Sequence, residues 1–240
     1  MSNKSLDIIL PCFNPDPEWS YVVINSIKRI REDIPEAEIA VYLVNDGSTL
    51  GMEKEAIDRL SSAIRDFHYL EYQPNKGKGE ALRYGVMQAK NEVCIYTDVD
   101  FPYKDESFIG LYTELCRSED DVVIGIRDNE YYSKIPPARR RISLFLRGAV
   151  KLFFGLKISD TQCGLKGFNQ RGKKLFLQTR IKRYLFDMEF ILLASKSKEI
   201  IISSYPVVLR SGIEFSKVNL RVLLAESFNF FRLFLKNLFK

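Results

Sequence analysis

The segment YTDVDFPY, residues 96 to 103, sets two carboxylates, Asp98 and Asp100, directly behind the apolar run VCIY. A short apolar run that stops at acidic residues reads as a buried strand with its functional end at the tip. Paired Asp side chains at such a tip can hold a divalent cation through oxygen, and Mg²⁺ and Mn²⁺ suit an all-oxygen site. A cation there can neutralise a diphosphate that leaves as an anion. An isolated Asp-X-Asp is usually an acidic turn and nothing more. Its neighbours along this chain change the odds.

Those neighbours depend on the elements that carry them. In the first half, strand and helix signals alternate. LDIILPCF, IAVYLV, HYLEY, EVCIYT and DVVIGI read as strands. Between them, helices are expected from Pro17 toward Arg31 with Asp16 as N-cap, and over 52–67, 79–90 and 105–117. Continuous apolar strands alternating with helices argue for a parallel sheet covered on both faces. Such sheets bind ligands at the carboxyl ends of their strands. The second half reads differently: basic and apolar together over 138–158, polar with Gly over 160–169, a helix over 187–198, a strand over 200–209 and a long helix over 218–239. The chain has no internal repeat and no low-complexity linker, so a single domain over 1–240 is expected.

With the elements in place, the polar groups collect at one sheet edge. Pro11 and Asn14 lie at the first tip, Asp46 with Gly47 and Ser48 at the second, Asp98 and Asp100 at the fourth, and Arg127 at the fifth. The first two tips can read a nucleotide, the acidic pair a metal, and the Arg a phosphate. NKGKGEALRYG does not match G-x-x-x-x-G-K-[ST]. Gly77 and Gly79 rather shape a turn into a helix, with Lys76 or Lys78 near a ligand as the alternative.

Composition narrows the classes. Hydrophobic residues make up 46% of 240, which argues against disorder. A net charge of +5 is short of a dedicated nucleic-acid binder and suits an anionic substrate or lipid surface. Four Cys without C-x-x-C and a single His make a Cys/His zinc site improbable, and the Cys usage suits a reducing compartment. Neither a signal peptide nor a transmembrane helix is expected; the longest apolar stretches are broken by Arg147, Lys151, Glu226, Arg232 and Lys236. Two stretches have the composition of helices that lie in a membrane interface. One runs from Arg139, Arg140 and Arg141 to Phe153 and Phe154; the other carries Leu224, Phe228, Phe231, Leu235 and Leu238. The alternative is that they cover the sheet or form an oligomer contact.

In this order the motifs resemble those of glycosyltransferase family 2: PCFN and VNDGS match its nucleotide-contacting strand ends and DVD its metal motif. DTQCGLKGF from Asp160, FDME around Asp187, Arg210 and the SKV at 216–218 are similar to the polyprenyl-phosphate branch, especially dolichyl-phosphate glucosyltransferases. The resemblance implies a GT-A fold: a mostly parallel nucleotide-binding sheet flanked by helices, with amphipathic helices in the C-terminal half. A nucleotide-sugar half would span about 1–128 and an acceptor- and membrane-facing half about 129–240. The implied reaction is inverting transfer of a hexose from a nucleoside diphosphate sugar, UDP-glucose first, to a polyprenyl phosphate, at the cytoplasmic face of a membrane.

The roles that follow are donor contacts for Pro11, Asn14, Asp46, Lys78, Asp98 and Arg127, with Mg²⁺ or Mn²⁺ on Asp98 and Asp100. Arg210 and Lys217 would face the acceptor phosphate. Asp160 and Asp187 are the candidates for base or acceptor-site carboxylate; for Asp187 the alternative is a helix N-cap on MEFILLA. A sugar hydroxyl needs such a base, whereas a lipid phosphate is already an anion. The competing readings are a transferase acting on a glycan or glycolipid hydroxyl in capsule or lipopolysaccharide assembly, a sugar nucleotidyltransferase, and a non-catalytic nucleotide-sugar binding module. A nucleotidyltransferase would want a Gly-rich loop in its first turn, and PCFNPDP has none.

Overall fold

A strand buried on both faces needs apolar side chains at every position, and the first apolar run meets that demand. In the computed structural model, which describes residues 4–127, 129–156, 160–212, 229–231 and 233–235, β1 (Leu6–Cys12) is buried throughout. Its Leu6, Ile8 and Leu10 pack on one side and Ile9 on the other. Each such aliphatic side chain contributes about 1.5–3 kcal/mol relative to exposure.

The strands β2 (Ile39–Asp46), β3 (Phe67–Tyr72), β4 (Val93–Tyr96) and β5 (Val122–Arg127) fall on the expected segments. So do the helices α2 (Lys54–Ala63), α3 (Lys78–Gln88) and α4 (Asp105–Arg117) between them. The first helix, α1 (Trp19–Asp33), begins two residues later than its sequence suggests. Trp19 N–H donates to Asp16 O at 3.1 Å, so Asp16 opens a turn ahead of the helix and does not cap it. Helices α1, α2 and α4 cover one face of the sheet; α3 covers the other with α8 (Phe186–Lys196).

Seven strands form one sheet in the order β3-β2-β1-β4-β6-β5-β7. All neighbours are parallel except the pairs made by β6 (Lys166–Asn169), which runs antiparallel between β4 and β5. From β1 the order runs outward to β2 and β3 on one side and to β4 on the other. The gap between the tips of β1 and β4 is therefore a switch point, where doubly wound sheets bind ligands. The edge strand β7 (Ile202–Val207) contains Pro206, which an edge tolerates because no second neighbour needs its missing N–H.

Three elements of the second half carry no sequence signal. They are β6, α5 (Asn129–Lys134) and α7 (Gln170–Phe176), which is capped by Asn169 accepting from the N–H groups of Arg171 and Gly172. The basic, apolar stretch forms α6 (Pro137–Phe154), with Pro137 in its first turn and Gly155 ending it in the left-handed conformation. Residues 229–231 and 233–235 are helical, and the rest of the expected 218–239 helix lies outside the described residues.

Candidate functional site

The acidic pair sits in the turn that leaves β4. Phe101 N–H donates to Asp98 O at 3.0 Å, and Phe101, buried against the core, takes a φ of 44°. A bulky residue rarely adopts that conformation, and such strain concentrates at functional sites. Asp98 pairs with the ammonium of Lys78, the first residue of α3. Burial pushes the Lys78 pKa down, but the charges of Asp98, Asp187 and Asp100 outweigh burial, and the net shift is upward. Crowding by protein and then the Asp98 charge push the Asp100 carboxyl up to about 6. Solvent still reaches Asp100, so water screens part of that repulsion.

Two crowded carboxylates beside an open surface are a donor set that a divalent cation relieves. The packing also makes room for one of them: a Cβ on Gly164 would stand 2.5 Å from Asp98 Oδ2. Among the described residues no group of three or more His, Cys, Asp or Glu gathers to hold a metal. The chain thus offers two carboxylates and leaves the remaining positions to phosphate oxygens and water, the usual mode for Mg²⁺. The residues fit the group.

The first two tips are fastened to their surroundings. The Asn14 side-chain carbonyl accepts from Thr49 N–H at 2.8 Å and Leu50 N–H at 3.2 Å, while its own N–H donates to Ser48 Oγ at 2.9 Å. Asp46 is buried, and both its oxygens are engaged. Oδ1 accepts from Tyr72 O–H and Lys76 N–H, each at 2.8 Å; Oδ2 accepts from Asn75 Nδ2 and Gly77 N–H, each at 2.9 Å. Asp46 thereby holds the 75–77 turn against β2 and sets the start of α3 where Lys78 meets Asp98. Pro11 is buried within β1 opposite Val44, one residue before the strand ends.

Behind the acidic turn lie two buried ion pairs. Lys166, 0% exposed on β6, donates to Asp187 Oδ1 at 2.8 Å and to the carbonyl of Cys163. Tyr96 O–H donates to the same Asp187 oxygen at 2.5 Å. Asp187 is therefore no helix cap: α8 is capped at Leu185, and Asp187 faces inward from its first turn. Its pairing ties α8 to the Cys163–Gly164 loop that borders Asp98.

Arg127 grips Asp160, which is 1% exposed, through its backbone N–H at 2.7 Å and its guanidinium Nε at 3.0 Å. The guanidinium also lies over the Tyr131 ring, 4.9 Å from its centre. Burial pushes the Asp160 carboxyl up, yet Arg127 outweighs it and holds the carboxyl below its usual range. The two acids considered as bases are thus both consumed by buried cations.

The structure does not bring Arg210 to the acidic pair. Its guanidinium bonds Asp105 and, at 3.1 Å, Ser26 Oγ; Arg29 Nε meets the other Asp105 oxygen at 2.6 Å. Its backbone N–H donates to Pro102 O at 2.9 Å, which keeps this segment beside the acidic turn. Lys217 lies outside the described residues. Sequence reasoning did not single out Lys166, Tyr96 and Gly164, although Gly164 and Lys166 lie in DTQCGLKGF and Tyr96 opens YTDVDFPY.

Paired carboxylates at the switch point of a doubly wound sheet define an α/β protein with its ligand site at the strand ends, and comparison gives the family. The model of "Glycosyl transferase family 2" matches residues 7–176, and the chain belongs to that family. It is 26% identical over 199 residues to a dolichyl-phosphate beta-glucosyltransferase of Trichomonas vaginalis, covering 80% of this chain and 61% of the relative. The chain spans less than two thirds of the length of the first curated relatives it matches. The fold is GT-A. The mannosyl-3-phosphoglycerate synthase of Rubrobacter xylanophilus superposes with a TM-score of 0.69 at 14% identity, over 98% of this chain and 74% of that one. The glucosyl-3-phosphoglycerate synthase of Mycobacterium tuberculosis, crystallised with Mn²⁺, UDP and glucosyl-3-phosphoglycerate, superposes with a TM-score of 0.57 at 15% identity, over 92% of this chain and 75% of that one.

Proposed function

We propose that the chain transfers a hexose, glucose first, with inversion from a nucleoside diphosphate sugar to a polyprenyl phosphate at the cytoplasmic face of a membrane. One observation carries this choice of acceptor. Asp160 and Asp187, the acids offered as bases, are buried in ion pairs with Arg127 and Lys166. A hydroxyl acceptor needs a group to take its proton, whereas a phosphate monoester arrives as an anion and attacks without one. The relatives named as dolichyl-phosphate beta-glucosyltransferases support the same acceptor class.

In this reading the loops behind Pro11, Asn14 and Asp46 wall the nucleotide, and their hydrogen bonds fix those walls before it arrives. Asp98 and Asp100 would hold Mg²⁺ or Mn²⁺, which supplies charge to the departing nucleoside diphosphate when bound. Lys78, kept protonated by its acidic neighbours, adds a second positive charge at the same place. An acceptor oxygen attacks the anomeric carbon from the face opposite the breaking bond to the diphosphate. Arg127 orients the Asp160 loop; Lys217 is the proposed acceptor cation, and Arg210, paired with Asp105, anchors the segment that leads toward it. The two halves, about 1–128 and 129–240, act as one domain.

The test is incubation with Mn²⁺ and a panel of UDP- and GDP-sugars, with and without polyprenyl phosphate, reading nucleoside diphosphate release. Release from UDP-glucose that requires the lipid phosphate and stops in EDTA is expected. Release that needs a glycan hydroxyl and ignores the lipid phosphate would promote the capsule or lipopolysaccharide reading.

A further inference from the structure

Away from Asp98 and Asp100, a group of cations faces a single cavity. Lys76, Arg180, Lys182 and Arg183 line a space of about 340 Å³ together with Glu189 and Leu233. Glu189 Oε2 accepts from the N–H groups of Arg180 and Ile181, each at 2.7 Å, and so shapes the loop, leaving four cations against one acid around the cavity. The loop is rigidly seated. Arg83 of α3 donates to Ile181 O at 2.8 Å, and Glu80 N–H donates to Lys182 O at 3.2 Å. A Cβ on Gly77, whose φ is 103°, would stand 2.6 Å from Lys182 O. The basic loop therefore lies directly on the turn that carries Lys78.

The opposite wall belongs to the helical segment around Leu233. Its neighbours Phe230 and Phe234 pack edge-on against Phe153 and Phe154 of α6. That wall is continuous with an α6 surface on which Phe145 and Leu152 are each 78% exposed and Leu144 and Phe153 are also exposed. Arg140, Arg141 and Lys151 are exposed on the same helix, and Tyr184 is exposed beside the basic loop. Cations around a space roomy enough for a phosphate group, next to unburied Phe and Leu, are the two halves of an interfacial contact. A soluble anion would fill the cavity and leave the apolar face in water.

We infer that this cavity binds the headgroup phosphate of an anionic phospholipid while the α6 face enters the acyl boundary. The inference deepens the membrane-surface part of the proposed function by naming the lipid class and the residues that hold it. Docked in this way, the Lys76–Lys78 turn stands at the lipid surface, and the Asp98 site opens where a lipid-borne acceptor arrives.

Flotation of the full chain tests it, using phosphatidylcholine vesicles with and without phosphatidylglycerol. The unmodified protein should float with the mixed vesicles and far less with the neutral ones. Arg180→Gln/Lys182→Gln/Arg183→Gln should bind the mixed vesicles on the order of a hundredfold more weakly, with an unchanged melting temperature. No turnover is read, so failure of the transferase reading leaves this result standing. Equal flotation of the triple variant overturns the inference. So does calorimetric binding of inorganic phosphate that the triple variant loses while its flotation stays unchanged, which would assign the cavity to a soluble anion. Binding lost by the variant only on neutral vesicles doped with polyprenyl phosphate would also overturn it, by making the cavity the acceptor site.

Discussion

At the tips of β1, β2 and β4, polar side chains are held by named partners, whereas on α6 large apolar side chains lie in solvent with no protein across from them among the described residues. Asp46 and Asn14 each clamp a neighbouring loop, Lys78 is paired to Asp98, and the layer behind them is locked by Lys166–Asp187 and Arg127–Asp160. Such an edge is organised before a ligand arrives, so binding spends little on ordering. The α6 surface is held through Val150, Phe153 and Phe154 along one side, while Phe145 and Leu152 are exposed. The difference separates two tasks. Chemistry at a diphosphate needs fixed geometry; a contact with a fluid surface needs only area and charge.

The largest expected effect comes from breaking a lock behind the edge. Lys166→Met strips the partner from buried Asp187 and should cost about 3–5 kcal/mol, measured by urea denaturation. Lys166→Met/Asp187→Leu should recover most of that loss, because the cost lies in the orphaned charge and not in the absence of a salt bridge. A double variant as unstable as the single one would show that the pair positions the Cys163–Gly164 loop by some other contact. Acid should break the second lock. Arg127 holds the Asp160 pKa below its unfolded value, so its contribution is present above about pH 4 and is lost as pH falls through the folded value. Acid unfolding of Asp160→Asn should be shallower below about pH 4 than that of the unmodified protein; parallel curves would discount the pair.

The edge was far more legible in the sequence than its support. Apolar runs ending in Asn14, Asp46, Asp98 and Arg127 announce both strand and tip, because strand burial and the sheet rule act on adjacent residues. The locks escape because their partners are remote: Lys166 finds Asp187 21 residues on, and Arg210 finds Asp105 at a separation of 105. Nothing local in KGFN announces a buried Lys; Asp187 and the Cys163 carbonyl, both outside β6, make it tolerable there. In the sequence Arg127 suggests a donor contact and Asp160 a base or acceptor-site carboxylate, and neither position hints that they face each other. Helix α6 was legible as amphipathic, yet periodicity cannot say which apolar side chains find protein and which find solvent.

The next effect sharpens the edge itself. Asp100→Ala should lower metal-dependent transfer by roughly a hundredfold to a thousandfold, the scale of losing one electrostatic contact to a leaving group. Its melting temperature should match or exceed that of the unmodified protein, since the mutation removes a carboxyl that burial and then the Asp98 charge push up to about 6. Mn²⁺ titrated calorimetrically in the presence of UDP should give weaker binding. Undiminished turnover with EDTA present would remove the metal from this site.

The smallest effect on stability, and the sharpest contrast, belongs to the α6 face. Phe145 and Leu152 are each 78% exposed, so little apolar area leaves water when the chain folds around them. Phe145→Ser and Leu152→Ser should therefore change unfolding free energy by no more than about 0.5 kcal/mol, against the several kcal/mol expected of a buried Phe or Leu. Vesicle affinity should nevertheless drop on the order of tenfold or more, because each loses side-chain carbons that would otherwise enter the bilayer boundary. If the face instead packs on a second copy of the chain, the same substitutions would shift the sedimentation coefficient with protein concentration and leave flotation unchanged. A melting temperature that falls as far as it does for Lys166→Met would end the comparison, since it would mean that α6 is a core helix whose cover lies in the residues beyond those described.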